Sequence, residues 1–185
     1  EEAACQGLVA GANAAISLQG ESPLLLERAE AYTGILIDDL VTKGIDEPYR
    51  MFTSRAEFRL NLRIDNADER LTPIGRRAGL VPDERWTRYE KKCAQKAAVR
   101  SWLESRRAPG TGESLAAWLK RPEADIESLN AELRIAVGES LMREVLITVS
   151  TEVKYAGYLA QQDRQVRRLK DAERRPIPAE FAFAD

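Results

Sequence analysis

At 185 residues, 44% hydrophobic and 31% charged, the chain has a globular composition and is long enough for one substantial core or two small domains. Its net charge of −2 and pI near 5.5 exclude a protein coated in positive charge for indiscriminate nucleic-acid binding, so any positive surface has to be local. The absence of histidine excludes histidine-based acid–base, triad and zinc chemistry, Cys5 and Cys93 fit no metal or redox spacing, and no apolar run approaches the ~18 residues of a membrane span.

The chain opens on "EEAACQGLVAGANAAISLQG" without an initiator methionine, which reads as a start inside a larger protein. The spacing predicts a helix, with Glu1 and Glu2 in a first turn where carboxylates complement the helix dipole. Ala3, Gly7, Gly11 and Ala14 recur along it as a face with little bulk, suited to close approach by another backbone or a flat cofactor. Next, "LLLERAEAYTGILIDDLVTKG" keeps helical spacing through Leu25, Ala29, Tyr32, Leu36 and Leu40, with Gly44 closing the element.

The stretch "DEPYRMFTSRAEFRLNLRIDNADERL", residues 46–71, sets Arg50, Arg55, Arg59, Arg63 and Arg70 among six carboxylates, with Tyr49, Phe52 and Phe58 between them. Within it the period changes: Phe58, Leu60, Leu62 and Ile64 alternate with Arg59, Asn61 and Arg63, the pattern of a strand over 57–64 with one face buried. On such a strand Arg59 and Arg63 share the outer side, and Arg50 and Arg55 join them from the preceding loop. Asp65 or Asn66 can then cap the start of a helix. Two readings of the arginines stay open: an organised surface for a polyanion, or an internal arginine–carboxylate network that braces the loop.

From residue 72 onward the patterns are helical. Thr72–Pro73 reads as an N-cap and first helical position, and a break near residue 80 precedes a second start at Pro82. The helix over about 82–107 carries Trp86, Tyr89, Cys93, Ala97 and Trp102 on its expected packing side. Between Arg85 and Arg107 it sets eight Lys/Arg against Glu90 and Glu104, so a basic face toward solvent is expected. After the flexible link "RRAPGTGES" come short helices in "SLAAWLKRP" and "DIESLNAELRI", then one long helix over about 139–173 that ends in a basic run from Arg164 to Arg175. The expected fold is mainly α, with one short β region.

Several stretches together carry a resemblance. "EEAACQGLVAGANAA", "AYTGILIDDLVTKG", the long central motif from "EPYRMFTSRAEFRLNLRIDNADERLT", and the later "LKRPE" and "VKYAGYLAQQ" resemble, in order, the C-terminal part of the MnmG (GidA) family of FAD-dependent tRNA uridine 5-carboxymethylaminomethyl modification enzymes. Residues 108–135 match weakly. The resemblance implies the end of a Rossmann-type FAD domain over 1–80 and a helical C-terminal domain over 81–185, incomplete at its C-terminus. It implies that residues 1–20 are the last helix of the FAD domain, which puts Glu1 and Glu2 on the flavin side and packs Gly7 and Gly11 against a sheet.

Carried over position by position, the family's tRNA-contacting motif falls on Arg50, Arg55, Arg59 and Arg63, with the turn to Arg70 in support. The implied reaction uses FAD, hydride from NADH and a carbon from methylene-tetrahydrofolate. The implied partners are tRNA, the GTPase MnmE and a second copy of the full-length protein, and the implied location is the cytoplasm. The glycine-rich dinucleotide loop and catalytic cysteines of the family lie outside this stretch, so no catalytic residue and no metal ligand is assigned, and both thiols are read as incidental. Two other classes remain: a scaffold that docks the GTPase without touching RNA, and an independent helical RNA-binding module.

Overall fold

The computed structural model describes residues 1–44, 46–176, 178, 180 and 181. Helix α1 (Glu2–Leu18) buries only Ala12 and Ile16. The chain then returns beside it in extended form, held by a reciprocal pair in which the Asn13 side-chain amide donates to the Leu24 carbonyl (3.1 Å) and accepts from the Leu24 N–H (2.7 Å). Helix α2 (Tyr32–Thr42) starts later than its periodicity suggests, because residues 21–27 are not helical. Gly34 explains the packing that results: a Cβ there would sit 2.4 Å from the Glu27 carbonyl oxygen and 2.6 Å from that of Leu26. Only a bare Cα lets α2 pass under this segment.

The mainly α expectation holds, but the strand over 57–64 does not form. The Phe58 carbonyl accepts from the N–H groups of Asn61 (3.0 Å) and Leu62 (3.3 Å), which are turn bonds. Phe58 and Leu62 are buried four residues apart, while Leu60 is half exposed and Ile64 is 96% exposed. A lone period-2 segment has no neighbour to complete a ladder, and here side chains satisfy the backbone instead. Apart from the isolated Arg107–Ser114 bridge, no β pairing occurs among the described residues.

The expected start at Thr72–Pro73 is also displaced. Helix α3 (Ala67–Arg77) begins after Asn66 and runs through Pro73, giving up one backbone bond at the Glu69 carbonyl. Its first turn is anchored strongly enough to override the proline signal: Lys92 reaches both carboxylate oxygens of Asp68 (2.9 and 2.8 Å), and Lys96 pairs with Glu69. The helix stops near residue 80 as expected. Gly79 adopts φ +71°, and the Leu80 N–H returns to the Gly75 carbonyl at 2.8 Å, the paired closure that left-handed glycine permits.

Helix α4 (Asp83–Ser105) is the axis of the second half, packed by α3, α5 (Leu115–Trp118), α6 (Asn130–Val137) and α7 (Arg143–Lys154). Its buried face is Lys92, Gln95, Val99 and Leu103, and Ala97 points to solvent. Trp86, Tyr89, Cys93 and Trp102 are partly buried beside that face. The face lies away from the aromatic-based expectation because two polar side chains occupy it with full partners. Gln95 clamps the turn before α7, donating to the Ser140 carbonyl (2.9 Å) and accepting from the Met142 N–H (3.0 Å).

The expected solvent face of Arg85–Arg107 is thereby corrected. Lys92 is buried against the start of α3 and Lys96 is half-buried between α3 and α7, Lys96 and Arg100 both pairing with Glu152, while Arg85, Lys91, Arg106 and Arg107 remain exposed. Below this seam Val99, Leu103, Leu119, Leu133, Val145 and Val149 form the main core. The final helix is two: α7 ends as the Lys154 ammonium bonds the Ala124 carbonyl (2.7 Å), and α8 (Ala156–Glu173) starts after Tyr155.

A buried charge fastens the segment before the 57–64 turn. Asp39 on α2 is completely buried, and its carboxylate accepts from Arg28 (2.7 Å), Lys43 (2.6 Å) and the Tyr49 hydroxyl (2.8 Å). Arg28 also reaches Asp38 (2.8 Å), Glu57 (2.6 Å) and the Arg55 carbonyl (3.3 Å). Burial works against ionisation of Asp39, but the bonds from Lys43, Tyr49 and Arg28 outweigh it and hold its carboxyl well below the usual range. Burial and the bond to Asp39 push the Tyr49 phenol up to about 12.

This packing makes two changes measurable. Gly34→Ala forces a backbone shift and lowers stability by about 2–3 kcal/mol, read as a shift in the urea midpoint; an unchanged midpoint contradicts the close approach. The Asp39 contribution is full above the unfolded carboxylate value of about 4 and is lost as pH falls toward the depressed folded value. The Tyr49 contribution is full below the unfolded phenol value of about 10 and is lost as pH rises through about 12. Asp39→Asn is expected to cost about 3 kcal/mol at neutral pH and to flatten the acid limb of the melting temperature against pH. An acid limb as steep as that of the parent chain assigns acid sensitivity to other groups.

Candidate nucleic-acid interface

The five arginines of the central motif divide into two kinds. Arg63 turns back on its own segment, bonding Asp65 (2.9 and 3.2 Å) and the Leu60 carbonyl (2.7 Å). Arg70, on α3, spans the turn from below: it donates to Asn66 (3.0 Å), the Arg63 carbonyl (3.0 Å) and the Glu30 carbonyl. Burial and the neighbouring Arg63 lower its pKa. Arg55 lies over the Tyr49 ring at 4.6 Å and stands 3.6 Å from the Asp39 carboxylate. These three guanidinium groups hold the segment in shape.

Arg50 and Arg59 are different. Both are exposed, and among the described residues neither guanidinium has an ion pair or hydrogen bond. Each nevertheless has a fixed root. Arg50 lies between Tyr49, whose hydroxyl is bound to Asp39, and Met51, whose N–H donates to the Glu2 carboxylate at 3.0 Å. Arg59 lies between buried Phe58 and the 58–62 turn bonds. Phe52, two residues further along the chain, exposes 59% of its surface. A rigid backbone that presents unpaired guanidinium groups and an open ring offers phosphate recognition and base stacking together.

The turn itself is anchored from a distance. The Asn61 N–H donates to Gln162 on α8 (2.9 Å), its side-chain amide donates to Asp163 (3.1 Å), and its backbone carbonyl accepts from the Asn66 side chain (3.1 Å). The Asp65 carbonyl receives Lys92 (3.1 Å) and Thr148 (3.0 Å). Arg28, Asn61 and Gln162 were not marked as functional by the sequence. The acidic partners of Arg28 lie 10 to 29 residues away, and the partners of Asn61 on α8 lie 101 and 102 residues away; no local pattern announces such pairs.

Glu1 and Glu2, placed on the flavin side by the resemblance, stand at the N-terminal end of α1. The Glu2 carboxylate is tied to Met51, which lowers its pKa, and Glu1 is exposed. Two carboxylates at this helix end also repel a phosphate or an anionic ring. Gly7 and Gly11 meet nothing within 4 Å, so the small face of α1 stands open. Cys5 and Cys93 are free thiols; burial and a bond to Cys93 raise the neighbouring Tyr89 phenol to about 12. Among the described residues there is no cluster of three metal-ligating side chains and no helix long and apolar enough to cross a membrane.

Known proteins resemble this chain closely. Residues 83–163 match the family described as the tRNA modifying enzyme MnmG/GidA C-terminal helical domain. The tRNA uridine 5-carboxymethylaminomethyl modification enzyme MnmG of Syntrophotalea carbinolica is 44% identical over 200 residues, covering 100% of this chain and 32% of that protein. The enzyme of the same name from a Roseiflexus species is 47% identical over 201 residues, covering 100% and 29%. The solved structure of Aquifex aeolicus GidA superposes with a TM-score of 0.79 at 34% identity, covering 98% of this chain and 30% of that one. The chain spans about a third of the length of the relatives it matches. By sequence, by its matched helical domain and by fold, it belongs to the MnmG/GidA family.

Proposed function

We propose that this chain is the tRNA- and partner-binding part of a cytoplasmic flavoenzyme that acts, with the GTPase MnmE, on C5 of the wobble uridine of tRNA to install the (carboxymethyl)aminomethyl group. The observation that carries the binding role is the division among the arginines: Arg55, Arg63 and Arg70 are engaged internally, while Arg50 and Arg59 are held on a rigid frame with no ion pair or hydrogen bond from their guanidinium groups among the described residues. The names of the relatives support tRNA uridine as the target.

On this reading the redox and one-carbon chemistry of FAD, NADH and methylene-tetrahydrofolate belongs to parts of the enzyme other than these 185 residues, as does the pairing of two full-length copies. The residues here bind and orient. Arg50 and Arg59 each offer a planar fork that takes two phosphate oxygens or stacks on an unpaired base, which lysine does poorly. Arg28, Asp39 and Tyr49 keep the backbone under Arg50 from moving, so the guanidinium loses little freedom on binding.

The test is tRNA affinity measured across a salt series. Arg50→Ala and Arg59→Ala are each expected to weaken binding roughly tenfold and to reduce the salt dependence by about one unit of slope per lost phosphate contact, with the melting temperature unchanged. Arg63→Ala is expected to lower the melting temperature instead. If Arg50→Ala and Arg59→Ala keep parent affinity and slope, RNA recognition lies elsewhere; capture of the GTPase without tRNA binding would then support the scaffold role.

A further inference from the structure

Helix α8 packs against the arginine turn with one side only. Gln162 and Asp163 hold Asn61, Val166 and Leu169 border Phe58 and Ala29, and Lys170 pairs with Glu27. The rest of its surface carries Arg164, Arg167 and Arg168, and Arg174 and Arg175 follow its last residue; all five are exposed, and none has an ion pair or hydrogen bond from its side chain among the described residues. At about 100° per residue, Arg167 stands on the flank of the docked side nearest Asp163, and Arg164 and Arg168 stand opposite it.

From Arg164 to the end of α8 at Glu173 the helix rises about 14 Å at 1.5 Å per residue, the scale of a few backbone phosphates, and Arg174 and Arg175 extend the stretch. The acids in the sequence of this stretch are Asp171 and Glu173, and Asp163 just before it is engaged by Asn61. In a chain of net charge −2, five guanidinium groups without an ion pair among the described residues, on and just after one helix, are a local concentration of positive charge, and a polyanion with regularly spaced charges complements it.

We infer that the outer arginines of α8 are a second phosphate-gripping surface for RNA, on a helix held to the turn that carries Arg59 by the Asn61–Gln162–Asp163 bonds. This rests on the tRNA-binding reading above and extends it to a surface which that reading does not need. The turn supplies a short, fixed contact, and α8 supplies a longer rail along the backbone of the same RNA. Gln162 is a positioning residue here, since it touches the Asn61 backbone and not the RNA.

The experiment measures binding of the chain to an unmodified tRNA transcript with a wobble uridine, by fluorescence anisotropy over a salt series, for Arg59→Ala, for combined Arg164→Gln, Arg167→Gln and Arg168→Gln, and for the same three positions changed to Lys. Glutamine and lysine are both good helix formers, and circular dichroism checks α8 in each. The glutamine variant is expected to bind at least tenfold more weakly at low salt and to lose about two units of slope, and the lysine variant to recover most of the slope. Parent affinity and slope in the glutamine variant, with Arg59→Ala impaired, overturn the rail and leave the tRNA-binding reading standing. If Arg59→Ala also binds as the parent does, both fall. Unchanged tRNA binding with lost capture of the GTPase assigns the arginines to a protein partner and overturns the proposal.

Discussion

A carboxylate with no access to water organises the first half of this protein. Burying an ionised aspartate is tolerable only where several donors converge on it, and Asp39 draws Arg28, Lys43 and Tyr49 from before, at the end of and beyond its own helix. Arg28 in turn brings in Asp38, Glu57 and the Arg55 carbonyl. The apolar cluster here is small, with Ile35, Ala56 and Leu62 at its centre, too little to fix a segment of irregular backbone by itself. Directional bonds to a buried charge supply the uniqueness that apolar contact does not.

A second ionic seam couples this half to the helical bundle. Lys92 and Lys96 lie between the start of α3 and α7, and the Asp65 carbonyl receives Lys92 and Thr148 together. With their partners removed, the two lysines would be a buried and a half-buried cation on the central helix; with them, they pin the end of the arginine turn to the main core. The turn is therefore held at three places, by Arg28 through Glu57 before it, by Gln162 at Asn61, and by Lys92 at Asp65. Its exposed arginines owe their fixed roots to contacts made elsewhere.

What could be read from the sequence was the order and kind of the elements: α1, α2, the stop near residue 80, α4, the short helices and the basic C-terminal run. Those depend on local periodicity and capping. The failures share a cause. Phe58–Ile64 alternates like a strand, but a strand exists only with a partner, and among the described residues no segment is paired with it. Thr72–Pro73 looks like a helix start, but ion pairs from Lys92 and Lys96 favour a start six residues earlier. The packing face of α4 was sought among aromatics and fell on Lys92 and Gln95, whose burial becomes intelligible only once Asp68 and the Ser140–Met142 turn are in place. Gly34 gave no signal either, because the backbone it admits arrives from Leu26 and Glu27 by tertiary packing.

The same dependence explains why so many acids accompany so many arginines. A segment with five guanidinium groups and no carboxylates would attract any polyanion and would repel itself. Here Asp39, Asp65 and the backbone carbonyls of Glu30, Leu60 and Arg63 engage three of the five, which removes most of the indiscriminate attraction while stiffening the backbone. The free groups that remain are few, and their spacing is set by the bonded ones. Recognition by such a surface depends on whether a ligand's charges match that spacing. Geometry then discriminates between partners in a chain whose overall charge attracts none of them.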